Sequence, residues 1–187
     1  MTIQRYVALA VFAIAFGVEE AIIVVYLRHL NVFAAESYAL EVGREACTLV
    51  VIGAIAWIAG AEMRQRAKAY CFAFGIWDIV YYFGLWSLSG TPTFTQPDVL
   101  FLIPVPWVAP VWSAMAYAFA LVLIGVVGVP RERAWLLTAG FVLGLSSFVY
   151  QTLFHAPAYP VWLFVLAYAL VLAALVRPLR RQYEALS

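Results

Sequence analysis

Charge is scarce in this chain. Only 11% of its 187 residues are Asp, Glu, Lys or Arg, where a soluble domain carries roughly 25%. The formal net charge of +1 leaves no basic surface for nucleic acid. Cysteine is nearly missing. Cys47 and Cys71 fall in neighbouring apolar runs at different depths, which argues against a disulfide and for buried free thiols. Histidine is equally rare. His29 and His155 both lie outside the long apolar runs, which disfavours haem, and no Glu-x-x-His pair is present to build a di-iron centre. There is no Walker loop, Gly-x-Ser-x-Gly, zinc helix motif or Cys-x-x-Cys. No cofactor is implied, although carboxylates alone can hold a hard cation.

What the chain has instead is apolar surface. Two thirds of it (66%) is hydrophobic, and mean hydropathy is +0.95. A soluble chain of this size has no interior large enough to hide that much, whereas a bilayer acts as solvent for it. Six stretches are long enough to cross a hydrocarbon core, which takes about 20 residues. They lie near 4–27, 39–60, 68–89, 107–129, 133–154 and 159–177. The run from Tyr6 is interrupted by Glu19 and Glu20 and ends in no small-x-small cleavage site, so it is read as a first span and not as a signal peptide. The connection 90–106 carries Gly90, Pro92, Pro97, Pro104 and Pro106 and is too broken to be helical throughout. Its apolar stretch Val99–Ile103 is suited to dip into the interface. Pro110-Val111-Trp112 and Pro160-Val161-Trp162 both suit helix starts at a membrane surface, which accounts for their likeness without an internal repeat.

Basic residues orient the spans. Arg5, Arg64, Arg66, Lys68, Arg131, Arg133, Arg177, Arg180 and Arg181 all fall on one side of a six-span layout, leaving only Arg28 and Arg44 of the eleven. That side is cytoplasmic by the positive-inside rule. The expectation is an all-α integral membrane bundle forming one domain over 1–187. It crosses the cell (inner) membrane six times, with both termini in the cytoplasm.

The ten acids divide unevenly. Glu62, Glu132 and Glu184 accompany basic residues, whereas Glu19, Glu20, Glu36, Glu41, Glu45, Asp78 and Asp98 map to the outer half or the outer loops. At about 1.5 Å per residue, Glu19 lies roughly 22 Å along the first span and Asp78 roughly 15 Å along the third. Glu41, Arg44 and Glu45 stand at i, i+3 and i+4 and share a helix face, as do Asp78, Tyr81 and Tyr82. Tyr150, Gln151 and His155 reach the same outer level from the fifth span. An ionised group at a helix centre costs about 2.5–3.5 kcal/mol on insertion scales. Glu19, Glu20, Glu45 and Asp78 are therefore expected to point inward, to pair, or to hold a proton. Burial raises a carboxylate pKa and a nearby Arg lowers it. With more acids than arginines, at least one acid is a candidate for protonation near neutral pH.

These residues make up the candidate site. Asp78, Glu45 and Glu20 are the candidate acids and bases, with Tyr81 and Tyr82 to orient or relay a proton. Glu19, Arg44, Glu41, Tyr150, Gln151 and His155 are candidate ligand contacts. A plainer reading has the Arg–Glu network merely lock helices together, with Glu41 capping the second span, Glu36 and Asp98 solvated in loops, and Arg28 snorkelling at the interface. Most of the aromatic residues suit the interfacial belt or packing.

Two strings carry a resemblance. Phe74-Gly75-Ile76-Trp77-Asp78-Ile79-Val80-Tyr81-Tyr82 and Asp98-Val99-Leu100-Phe101-Leu102-Ile103-Pro104-Val105-Pro106-Trp107 resemble a family of small bacterial polytopic membrane proteins. That resemblance implies a bacterial membrane location and carries no activity with it. The Trp-acid-x-x-Tyr segment is also similar to one found in membrane-embedded terpene cyclases and sterol isomerases, whose acids protonate apolar substrates; the other motifs of those families are not evident here. Three functions follow as expectations. The first is binding or acid–base transformation of a small apolar or lipid-like molecule. The second is cation or metal handling, or proton-coupled transport. The third is a structural role with partner subunits or as a homo-oligomer.

Overall fold

The computed structural model describes residues 1–29 and 38–184, with side chains as far as Val176. Glu36 and the side chains of Arg177, Arg180 and Arg181 lie outside the described residues. The fold is all-helical apart from one small hairpin. Helix α1 runs Ile3–His29, α2 Tyr38–Ala59 and α3 Met63–Ser89. Strands β1 (Pro97–Phe101) and β2 (Trp107–Pro110) follow, then α4 (Val111–Val127), α5 (Ala134–Phe154) and α6 (Val161–Glu184). Four helices (α1, α2, α3 and α5) are long and apolar enough to cross a membrane, and shorter apolar helices cover Val111–Val127 and Val161–Val176.

Helix α1 shows why the bundle forms. Ile3, Val7, Val11, Ile14, Val18 and Ile22 make an exposed apolar stripe, while Ala13, Gly17, Glu20, Ala21 and Val24 are buried on the other face. Small residues on the buried side let backbones approach, and an apolar outer stripe is what a lipid-facing surface requires. Helix α3 is the hub, packing against α1, α2 and α4, while α5 packs on α6. Gly75 shows how tight the α3–α4 contact is, since a Cβ there would run into the Ala118 carbonyl and the Val122 side chain. Helix α3 ends where Gly90 takes φ +71° and donates its N–H to the Trp86 carbonyl at 2.8 Å.

The fourth apolar stretch is not helical from Trp107, as the sequence suggests. Trp107–Pro110 pairs antiparallel with Pro97–Phe101, with a bulge between Val99 and Phe101. The reason is local: Pro106 and Pro110 lack N–H donors, and each disfavours helix in the residue before it. The helix begins only at Val111.

Polar contacts fix the two ends of the bundle. At one end Arg5 donates to the Ala59 carbonyl (3.1 Å), Tyr6 to Gly125 (2.8 Å), Lys68 to Val126 (2.9 Å) and Arg133 to Ala173. Arg5 and Lys68 there answer unpaired carbonyls at the C-termini of α2 and α4. The hairpin closes the opposite end. Thr152 Oγ1 donates to the Pro106 carbonyl at 2.7 Å, and Arg28 reaches Thr91 and Asp98.

Candidate functional site

At the hairpin end a cavity of about 680 Å³ opens among α1, α2, α3 and the hairpin. Five carboxyl groups line it (Glu20, Glu41, Glu45, Asp78 and Asp98), with two guanidinium groups, Arg28 and Arg44. The faces that bring them together are set by helical period. Glu41, Arg44, Glu45 and Thr48 form one polar face of α2, and the same face continues as buried Ile52 and Ala56.

Arg44 organises the middle of the cluster. Its Nη1 donates to Glu20 on α1, while its Nε and Nη2 donate to Glu41 at 3.1 and 2.8 Å. Thr48 Oγ1 donates to the other Glu20 oxygen at 2.9 Å. Helices α1 and α2 both lean on α3 and touch one another little, so this bridge is their principal polar link. Glu45 performs a different task. Its Oε2 accepts the Leu102 backbone N–H at 2.8 Å, satisfying irregular backbone that would otherwise be costly away from water. Near the mouth, Arg28 Nη2 sits 3.4 Å from both Asp98 oxygens. Burial pushes the Asp98 carboxyl up, and Arg28 opposes that shift.

Asp78 stands apart. Its carboxyl makes no hydrogen bond or ion pair among the described residues. It lines the first cavity and also a second one of about 410 Å³. The second chamber is apolar, walled by Leu49, Tyr70, Phe74, Tyr117, Phe141 and Phe148 among others. Asp78, Leu100 and Phe101 line both chambers and form the partition. Phe101 is held there by aromatic neighbours: its ring centroid lies 5.4 Å from Trp107, 6.2 Å from Phe74 and 6.5 Å from Trp77. Both volumes fall within the roughly 300–1,000 Å³ typical of small-molecule sites.

The structure does not gather every candidate. Glu20, Glu41, Arg44, Glu45, Asp78 and Tyr81 line the polar cavity. Glu19, one residue from Glu20 and about 100° around the helix, is exposed on the outer side of α1. Tyr82 is buried in an apolar cluster with Ala21, Val24 and Leu85, and only its ring edge meets Tyr81. Tyr150 packs on Phe154, Gln151 lines neither chamber, and His155 is an exposed left-handed cap of α5. Two cavity residues that sequence reasoning assigned elsewhere, Arg28 and Asp98, face each other from positions 70 residues apart. Thr48 and Trp77 were not singled out for the site. Thr48 was legible as the next step on the α2 face, four residues after Arg44.

Among the described residues, no group of three or more His, Cys, Asp or Glu is placed to hold a metal ion. No protein-family model, curated protein or solved structure matches the chain. The site must therefore be read from its own chemistry.

Proposed function

We propose that this chain is a six-span inner-membrane protein that binds, or transforms by acid–base chemistry, a small apolar or lipid-like molecule. The observation that carries the reading is the position of Asp78, a carboxyl without a partner among the described residues, at the partition between an acidic chamber and an apolar one. Structural carboxylates are ordinarily paired, as Glu20, Glu41 and Asp98 are here. An unpaired acid in a cavity wall is the usual mark of a working group. In the enzymatic form Asp78 is the general acid, with Glu45 second. Arg44, ion-paired with Glu20 and Glu41, holds a neighbouring carboxylate ionised. Tyr81, on the cavity wall one turn from Asp78, orients the ligand or relays a proton.

The orientation belongs to the same proposal. The clustering of basic contacts at the end opposite the hairpin supports a layout with that end, and both termini, on the cytoplasmic side by the positive-inside rule. The acidic chamber then lies in the outer half of the membrane. The absence of a three-ligand cluster among the described residues favours the organic ligand over a resident metal.

Filling the apolar chamber tests the reading. Leu145 lines that chamber and is 40% exposed on the bundle surface, so Leu145→Trp adds bulk where the helix has room to adjust. The expected result is a folded protein whose affinity for its ligand falls at least about tenfold, which corresponds to about 1.4 kcal/mol. Undiminished ligand in a variant of unchanged thermal stability would remove the apolar chamber from the account.

A further inference from the structure

The polar chamber is built to reject one class of head group. We infer that the ligand is an amphiphile whose head donates hydrogen bonds and bears no negative charge (an alcohol or a protonated amine), seated among the carboxyls with its tail beside Trp107. This deepens the pocket reading above and rests on it.

Charge is the first ground. Five carboxyls face two guanidiniums in the cavity wall, and neither guanidinium is spare. All three nitrogens of Arg44 point at Glu20 or Glu41. Arg28 is engaged by Asp98 and by the Thr91 carbonyl. An anionic head would meet carboxylates without a free cation among the described residues. Among the described residues the open acceptors are Glu45, which uses one oxygen on the Leu102 N–H, and Asp78, whose carboxyl keeps an acceptor oxygen even when protonated. A donor head satisfies them.

The second ground is access. Leu49 on α2 and Leu145 on α5 both wall the apolar chamber. Helix α2 packs on α3, and α5 packs on α6 and β2. The seam between α2 and α5 therefore faces the bilayer, and a tail can arrive through it while the head follows past Phe101.

The test uses three probes of one chain length, dodecanol, dodecylamine and dodecanoate, titrated into the purified protein at neutral pH with occupancy read by native mass spectrometry. The alcohol and the amine are expected to half-fill the site at concentrations at least about tenfold below that of the carboxylate, a 1.4 kcal/mol preference. Leu145→Trp should weaken all three. A carboxylate that binds as well as or better than the others, still sensitive to Leu145→Trp, would overturn the head-group assignment and leave the pocket standing. Three probes that bind alike and ignore Leu145→Trp are partitioning to the surface, and that result, like no binding at all, would overturn the pocket reading itself.

Discussion

Asp78→Asn is expected to give a folded protein that has lost its chemistry. The substitution keeps shape and volume and removes the ionisable proton. Asp78 makes no hydrogen bond or ion pair among the described residues, so no partner is stranded and thermal stability should stay within about 1 kcal/mol of wild type. Removing a general acid typically costs about 10²–10⁴-fold in rate. Turnover of the ligand that accompanies the wild-type protein should fall by that amount. If the protein only binds, occupancy should fall instead. Full activity and full occupancy in Asp78→Asn would end the assignment of Asp78. A variant that unfolds would show that the carboxyl has a structural task, and Glu45→Gln would then be the acid to examine next.

The second large effect is expected at Arg44 and falls on stability. Glu20 is buried, its side chain only 4% exposed, and its charge is answered by Arg44 and Thr48. Arg44→Ala leaves that carboxylate in an apolar bundle without a counter-charge. Breaking a buried pair from one side costs about 3–5 kcal/mol. The same change releases Glu41 and the main polar link between α1 and α2. Thermal unfolding of purified Arg44→Ala should register a loss of that size. Adding Glu20→Gln should restore part of it, because the uncompensated charge is removed as well. If Arg44→Ala melts like wild type, the network does not hold the helices, and the plainer structural reading of these acids fails with it. A loss that Glu20→Gln does not relieve would assign the effect to Glu41 or to lost packing.

Much of the fold could be read from composition, because a bilayer leaves few options. Long apolar runs must become helices, since unpaired backbone is costly in hydrocarbon. Each of the six apolar stretches contains one. The hairpin was less legible. Trp107 reads as the opening of a helix by hydropathy alone, and only the pairing of Val99 with Val108 and Phe101 with Trp107 shows it as strand. Such pairing is non-local and leaves only a weak local trace, here the prolines at 106 and 110.

The site divides along the same line. Where spacing along a single helix decided, as for Glu41, Arg44 and Glu45, sequence put the side chains on one face, and they line one cavity. Where helix rotation against a neighbour decided, it did not. Glu19 and Glu20 look alike in sequence, but the buried Ala13, Gly17 and Ala21 turn Glu20 inward and Glu19 outward. Helix α5 is similarly turned. Its buried Gly140, Gly144, Ser147 and Phe148 face the core, which leaves Tyr150 off that face; Gln151 continues the buried face one turn on but lines neither chamber, and His155 lies past the helix end as its cap. The Arg28–Asp98 pair depends on where the hairpin folds back, which no local pattern encodes.

The most direct test is native mass spectrometry of the wild-type protein purified in mild detergent, with elemental analysis of the same sample. A stoichiometric organic molecule, absent from Leu145→Trp, is the expected result, and its mass would name the substrate class. A stoichiometric metal with no organic ligand would contradict the account and move the acids to a cation site.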